Sequence, residues 1–251
     1  MLSTIDFGPD RPTKPPLVIA HGLFGSARNW GVIAKRLSSD RRVICVDMRN
    51  HGASPWSASM TYPDMAQDLI EVVAPLGQAD LLGHSMGGKA AMLAVLMGAP
   101  VGRLIVGDIA PVTYGHTQMH LIDAMDALDL GPLLTRADSD AALAQSVEDP
   151  GIRAFLLQSI DLKEKRWRLN LAALRAHMGD ILSFPDTDVQ TDTPTLFLTG
   201  AASDYVTPSA RPAIRRHFPK ARFAKLMGAG HWLHADKPRE FEASVRAFLD
   251  A

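Results

Sequence analysis

Apolar positions along the chain follow two alternating rhythms. Residues 17–20 (Leu-Val-Ile-Ala) form a short unbroken apolar run and read as a buried strand. The segment that follows, residues 28–37, sets Trp30, Ile33, Ala34 and Leu37 at helical spacing. The pair then repeats: residues 43–48 predict a strand and 65–74 a helix, 79–82 a strand and 89–97 a helix rich in Ala, Leu and Met. Residues 104–106, leading to Asp108, predict a fourth strand. After a long interval the rhythm resumes with a strand at 195–198, a helix around 209–217, a strand at 222–226 and a closing helix at 238–249. Short apolar strands separated by amphipathic helices predict an α/β fold, with a mostly parallel central sheet flanked by helices on both faces.

The interval itself, residues 112–184, reads as helical throughout, with breaks at Gly131-Pro132, Asp149-Pro150-Gly151 and Gly179-Asp180. The simplest organisation is a core of residues 1–111 and 185–251 interrupted by an inserted helical cap at 112–184. Insertions leave a parallel sheet at the carboxyl edge, where such sheets bind ligands, so the cap is expected to act as a lid.

Composition narrows the function classes. A chain of 251 residues, 47% apolar, can bury one substantial core. Its formal net charge of -1 leaves no basic surplus to neutralise phosphates, which argues against nucleic-acid binding. The single cysteine, Cys45, sits in an apolar run and reads as packing in a reducing compartment, with no internal disulfide. The first residues lack the basic-then-apolar pattern of a secretory signal. The best uncharged apolar run, residues 90–102, falls short of the ~18 residues of a membrane helix. The expectation is a cytoplasmic monomer or weak homodimer with no membrane span.

Gly83-His84-Ser85-Met86-Gly87 matches G-x-S-x-G between a predicted strand and a predicted helix. That pattern occurs by chance in long chains, but this context makes Ser85 the candidate nucleophile on a tight strand-to-helix turn, with glycines where a Cβ would collide with backbone. A helix N-terminus there faces any negative charge developing at the serine. A second turn, His21-Gly22-Leu23-Phe24-Gly25, also follows a strand. Acyl transfer needs two backbone N–H donors for the oxyanion, and Met86 and Leu23 are placed to supply them. The general base should be a late histidine, and His231 in Gly228-Ala229-Gly230-His231 fits, with His234 a weaker rival. His21, His84 and His51 read as turn residues, and His217 lies near a surface helix end. His116 and His120 have the i, i+4 spacing of a helical metal pair, but without a third ligand they read as flanking the lid.

Taken together, HGLFGS, DMRNHGAS, GHSMGGKAAM, GDIAPV, SDYV and GAGHWLHADKP resemble the α/β-hydrolase superfamily over nearly the whole chain. Within it they resemble the esterase branch that includes YbfF-type esterases and related abhydrolase-domain proteins. The resemblance implies a Ser-His-acid triad, a helical cap, and cleavage of carboxylic ester or thioester substrates with no cofactor and no metal. The superfamily's usual acid slot, counted from Gly200 and back from Val206, holds Ser203, with Asp204 one residue late. Asp108, at the end of the preceding strand, is therefore the expected acid, Asp204 the alternative, and Ser203 a supporting hydrogen-bond partner of Asp108.

In the expected chemistry, His231 deprotonates Ser85, an acyl-enzyme forms, and water releases it. The partner is then a small-molecule acyl ester or thioester. The run Lys163-Glu164-Lys165-Arg166-Trp167-Arg168 reads as a solvated helix face, or else a site for the phosphates of an acyl-CoA. Two rivals share the resemblance: a menaquinone-pathway type lyase, which needs several arginines facing a dianion, and a ligand-binding protein with negligible turnover.

Overall fold

The computed structural model describes residues 1–133 and 135–251. It contains a seven-stranded sheet in the order β1-β3-β2-β4-β5-β8-β9. The strands are β1 (Thr4–Phe7), β2 (Leu17–Ala20), β3 (Val43–Val46), β4 (Ala79–His84), β5 (Val101–Gly107), β8 (Thr195–Gly200) and β9 (Arg222–Leu226). Every pairing is parallel except β1 against β3. The edge strand β1 was outside the sequence expectation: four residues of mixed exposure, Thr-Ile-Asp-Phe, are too few to show a period.

Between the core strands run α1 (Gly31–Leu37), α2 (Tyr62–Val73) and α3 (Met86–Leu96). The period of two sorts the sheet side chains onto two faces. Leu17, Ile19, Leu82 and Ile105 pack with α1 and the C-terminal helix, whereas Val18, Ala20, Leu81 and Val106 pack with α2 and α3. All of α3 is buried, which explains its apolar character on every side. It begins at Met86, three residues before its expected start, because the glycines after the serine form its first turn. Likewise α2 begins at Tyr62, since the Thr61 hydroxyl caps it by accepting from Asp64 N–H.

Residues 112–184 depart from the all-helical reading. Here α4 (Met119–Asp126), α5 (Arg136–Leu143), α6 (Pro150–Leu156), α7 (Leu171–Ala176) and α8 (Met178–Leu182) are joined by a small hairpin, β6 (Ile160–Asp161) with β7 (Arg166–Trp167). The basic run expected as a solvated helix face is this hairpin. Lys165 turns the chain at φ 50, Ile160 and Trp167 are buried partners, and the Arg168 guanidinium donates to Asp161. One expected break marks a helix start, and another falls inside a helix. Asp149 caps α6 with Pro150 in its first turn, and Gly179-Asp180 lies inside α8. The fold closes with α9 (Arg211–His217), α10 (Leu233–Asp236) and α11 (Pro238–Leu249). No helix of the described residues is long and apolar enough to cross a membrane.

At the amino ends of β3 and β4, Arg41 is fully buried and donates to Asp80 (3.3 Å) and to Asp250 (2.7 Å), tying α11's end to β4. Burial raises the Asp80 carboxyl to about 6 despite Arg41. Removing one partner of a buried pair leaves the other charge uncompensated, so Arg41→Met should cost about 3 kcal/mol. For a domain this size that lowers Tm by roughly 6–12 °C. The double variant R41M/D80N should recover most of the loss in a thermal melt, and no recovery would show that the charge pair is not the cause.

Candidate active site

Ser85 stands between the end of β4 and the start of α3, at φ 53 and ψ -122. Its N–H donates to Gly107 O at 2.9 Å. The spacing of glycines around it is a record of backbone crossings. A Cβ on Gly83 would lie 2.2 Å from Gly87 O, and one on Gly87 would lie 2.5 Å from Ala20 O. A left-handed serine costs about 1–3 kcal/mol, offset by the packing of the wholly buried strand and helix on either side.

Asp108 follows β5 and also sits in the left-handed region, at φ 49, with no exposure. Its carboxylate accepts from Gly200 N–H (3.0 Å), from Ser203 Oγ, and from His231 Nδ1 (2.8 Å). A carboxylate only accepts, so the proton between the two groups belongs to Nδ1. Nε2 of His231 is then the acceptor that faces Ser85 Oγ at 3.0 Å. Tyr205 stacks on the imidazole at 3.9 Å, and His84 Nε2–H donates to the His231 carbonyl at 2.8 Å, fixing the ring's plane and its loop. The structure thus brings together Ser85, His231, Asp108 and Ser203. Asp204 is exposed and makes no contact with His231 among those described.

The turn at residues 21–25 lies beside Ser85, where a Cβ on Gly22 would come within 3.1 Å of the serine Cβ. Two buried histidines hold it. His21 Nδ1–H donates to Gly22 O (2.8 Å), and its Nε2 accepts from Met48 N–H (2.9 Å). His51 Nδ1–H donates to Arg49 O (2.8 Å), and its Nε2 accepts from Phe24 N–H (3.2 Å), a residue held at φ 63. Asp47 completes the frame by accepting from Ala27 N–H and Ala53 N–H. Phe24 N–H is thereby spent, and Leu23 N–H has no protein acceptor among the described residues.

Above Ser85 is a cavity of about 240 Å³ whose walls are mostly apolar. Leu121, Ile152, Phe155, Ile181 and Leu182 come from residues 112–184, and Trp30, Met86 and Ile109 from the core. His234 stacks on Trp30 at 4.1 Å and does not reach Ser85. His217, expected at a surface helix end, is buried with Nδ1 against Val189 O. His116 precedes α4 and lines the cavity, and its Nε2 meets Tyr205 Oη at 2.9 Å. Among the described residues no cluster of three His, Cys, Asp or Glu side chains could hold a metal. The sequence reading missed Tyr205 and Lys89, both in the cavity wall. A tyrosine two residues after the acid slot and a lysine in an otherwise apolar helix were the available signals.

Burial pushes His21 down to about 4, His51 to about 3, and His84 well below its ordinary value. Protonation at His21 or His51 would also turn an acceptor nitrogen against a backbone N–H. These rings stay neutral in the folded chain while the unfolded chain takes up protons near pH 6.5. Stability from them is therefore complete above about pH 6.5 and is lost on acidification toward pH 4, at up to about 1.4 kcal/mol per pH unit for each ring. The urea midpoint should fall steeply between those limits, and His51→Gln should make the slope shallower. An unchanged slope would show that His51 is not held neutral.

The model for the alpha/beta hydrolase family matches residues 17–244. The chain is 40% identical over 259 residues to the sn-1-specific diacylglycerol lipase ABHD11 of Danio rerio, covering 98% of this chain and 82% of that one. It is 39% identical over 240 residues to esterase YbfF of Escherichia coli (strain K12), covering 94% and 93%. Among solved structures it is similar to a marine microorganism esterase, with a TM-score of 0.93 and 36% identity over 98% of both chains. The chain belongs to the alpha/beta hydrolase family, among relatives that include proteins named esterase and lipase.

Proposed function

We propose that this chain is a serine hydrolase of small, uncharged carboxylic esters or thioesters, acting through an acyl-enzyme on Ser85. One observation carries the reading: His231 Nε2 lies 3.0 Å from Ser85 Oγ while its Nδ1–H is held by Asp108 at 2.8 Å, beneath an apolar cavity. His231 takes the serine proton as Oγ bonds to the substrate carbonyl carbon. The N–H groups of Leu23 and Met86 hold the oxyanion. The bond to the leaving oxygen or sulfur then breaks as imidazolium returns the proton to it. A water deprotonated by the same ring releases the acid and restores the serine. Asp108 keeps the ring in the Nδ1–H tautomer and stabilises its positive charge.

In this reading residues 112–184 are the cap and select the acyl group. Among the described residues lining the cavity there is no arginine and no carboxylate, which favours a neutral acyl chain over the dianion a lyase of the menaquinone type would bind. The exposed hairpin turn with Lys163 and Arg166 lies outside that lining.

A panel of p-nitrophenyl esters and acyl thioesters of graded length tests the proposal. Wild type should turn over the shorter esters, and Ser85→Ala should lose about 10⁴-fold or more in kcat. Asp108→Asn should lose about 10³–10⁴-fold, because the wrong tautomer then faces the serine. Asp204→Asn, at an exposed side chain, should stay within about twofold. Near-full activity in Asp108→Asn would remove the acid from the scheme, and stoichiometric ester binding without turnover would favour the ligand-binding reading.

A further inference from the structure

Lys89 is 1% exposed in the middle of the apolar helix α3; burial pulls its amine down to about 7, and the three carbonyls around Nζ favour the charged form. Its Nζ donates to Val112 O at 2.7 Å, to Leu182 O at 2.9 Å and to Ser183 O at 2.6 Å. An ammonium has three N–H donors, and all three are spent on the backbone. No donor remains for a substrate carboxylate, so Lys89 is not an anion-binding residue. The acceptors come from two places about 70 residues apart in sequence. Val112 is where the chain leaves the core after β5, and Leu182 and Ser183 are where it returns from α8. The last carbonyls of a helix carry its partial negative charge, so the end of α8 is a fitting partner for a cation.

Two aromatic residues reinforce the junction. The Tyr62 hydroxyl donates to Ile181 O at 2.7 Å, and Tyr114 N–H donates to Leu182 O at 3.0 Å. Lys89 Nζ lies 4.7 Å from the Tyr114 ring centre and 5.6 Å from that of Tyr62. On its own helix, Lys89 N–H donates to Ser85 O at 3.1 Å, one turn beyond the candidate nucleophile. Tyr114, Ile181 and Leu182, which this junction fixes, also line the cavity.

We infer that Lys89 is a positioning residue that pins both ends of the inserted segment to the nucleophile helix, and so sets how long an acyl group the cavity accepts. The inference rests on the hydrolase reading only for its substrate readout; the pinning itself does not. A methionine of similar length would fill the space but leave Val112 O and Ser183 O without their Lys89 donor and Leu182 O with the Tyr114 N–H alone, so the hold between the two ends would weaken. An arginine keeps a charge and several donors within reach of the same oxygens.

The test compares wild type, Lys89→Met and Lys89→Arg on an acetyl and a hexanoyl ester, with hydrogen exchange measured alongside. In Lys89→Met, KM for the hexanoyl ester should rise about tenfold with kcat less affected, and the loss on the acetyl ester should be smaller. Lys89→Arg should recover part of the length preference. Equal losses on both esters, with no recovery by arginine, would overturn the inference in favour of a general packing role. In the wild type, the Tyr114 amide should exchange at least about tenfold more slowly than the amides of α5. Exchange as fast as in α5 would overturn the pinning itself, even if the methionine variant does not fold. If wild type cleaves no ester while the Tyr114 amide is protected, the hydrolase reading fails and the pinning stands.

Discussion

A buried carboxylate can do one thing with a hydrogen bond, which is accept it. Asp108 is wholly enclosed, and three donors converge on it: the Gly200 amide, the Ser203 hydroxyl and the His231 ring. That constraint decides which nitrogen of His231 carries the proton, and so which nitrogen is left bare toward Ser85. These donors also make the buried carboxylate tolerable. Ser203 stands in the slot where the family resemblance leads one to expect an acid, and its hydroxyl donates to Asp108 at the end of the neighbouring strand β5.

The site is assembled from the carboxyl ends of adjacent parallel strands. β2 delivers the turn at residues 21–25, β4 delivers Ser85, β5 delivers Asp108, and the loop after β9 delivers His231. Three of these positions, Phe24, Ser85 and Asp108, hold left-handed backbone without being glycine. Such strain persists only where surrounding packing over-determines it. Here the packing is explicit: α3 is buried on every side, and His21, His51 and His84 bridge the turns from within. These three rings are support rather than acid–base groups, because their contacts hold them in single neutral tautomers. Lys89 extends the same logic outward, joining the nucleophile helix to both ends of the segment that walls the cavity.

The core was legible in the sequence because its signals are local. A buried parallel strand is a short apolar run, and the glycines at positions 83 and 87 mark backbone crossings that no other residue survives. Asp108 is legible at a strand end, and Asp204 lies one residue past the acid slot. What stayed hidden depends on contacts between distant residues. Nothing near His51 announces that it accepts from Phe24 N–H, 27 residues away. Nothing in Gly-Gly-Lys-Ala announces that Lys89 meets carbonyls 23 to 94 residues distant. The hairpin at Ile160–Asp161 and Arg166–Trp167 has strands of two residues, too short for any period to appear. Its basic turn therefore passed for one face of a helix.

The proton on Nδ1 of His231 is the point from which the proposed chemistry follows, and ring-¹⁵N-labelled histidine reports it directly by NMR. At neutral pH the account predicts that His231 is present as the Nδ1–H tautomer with a bare Nε2, and that this preference disappears when Asp108 is replaced by alanine. A His231 ring protonated on Nε2, or one indifferent to the loss of Asp108, would contradict it.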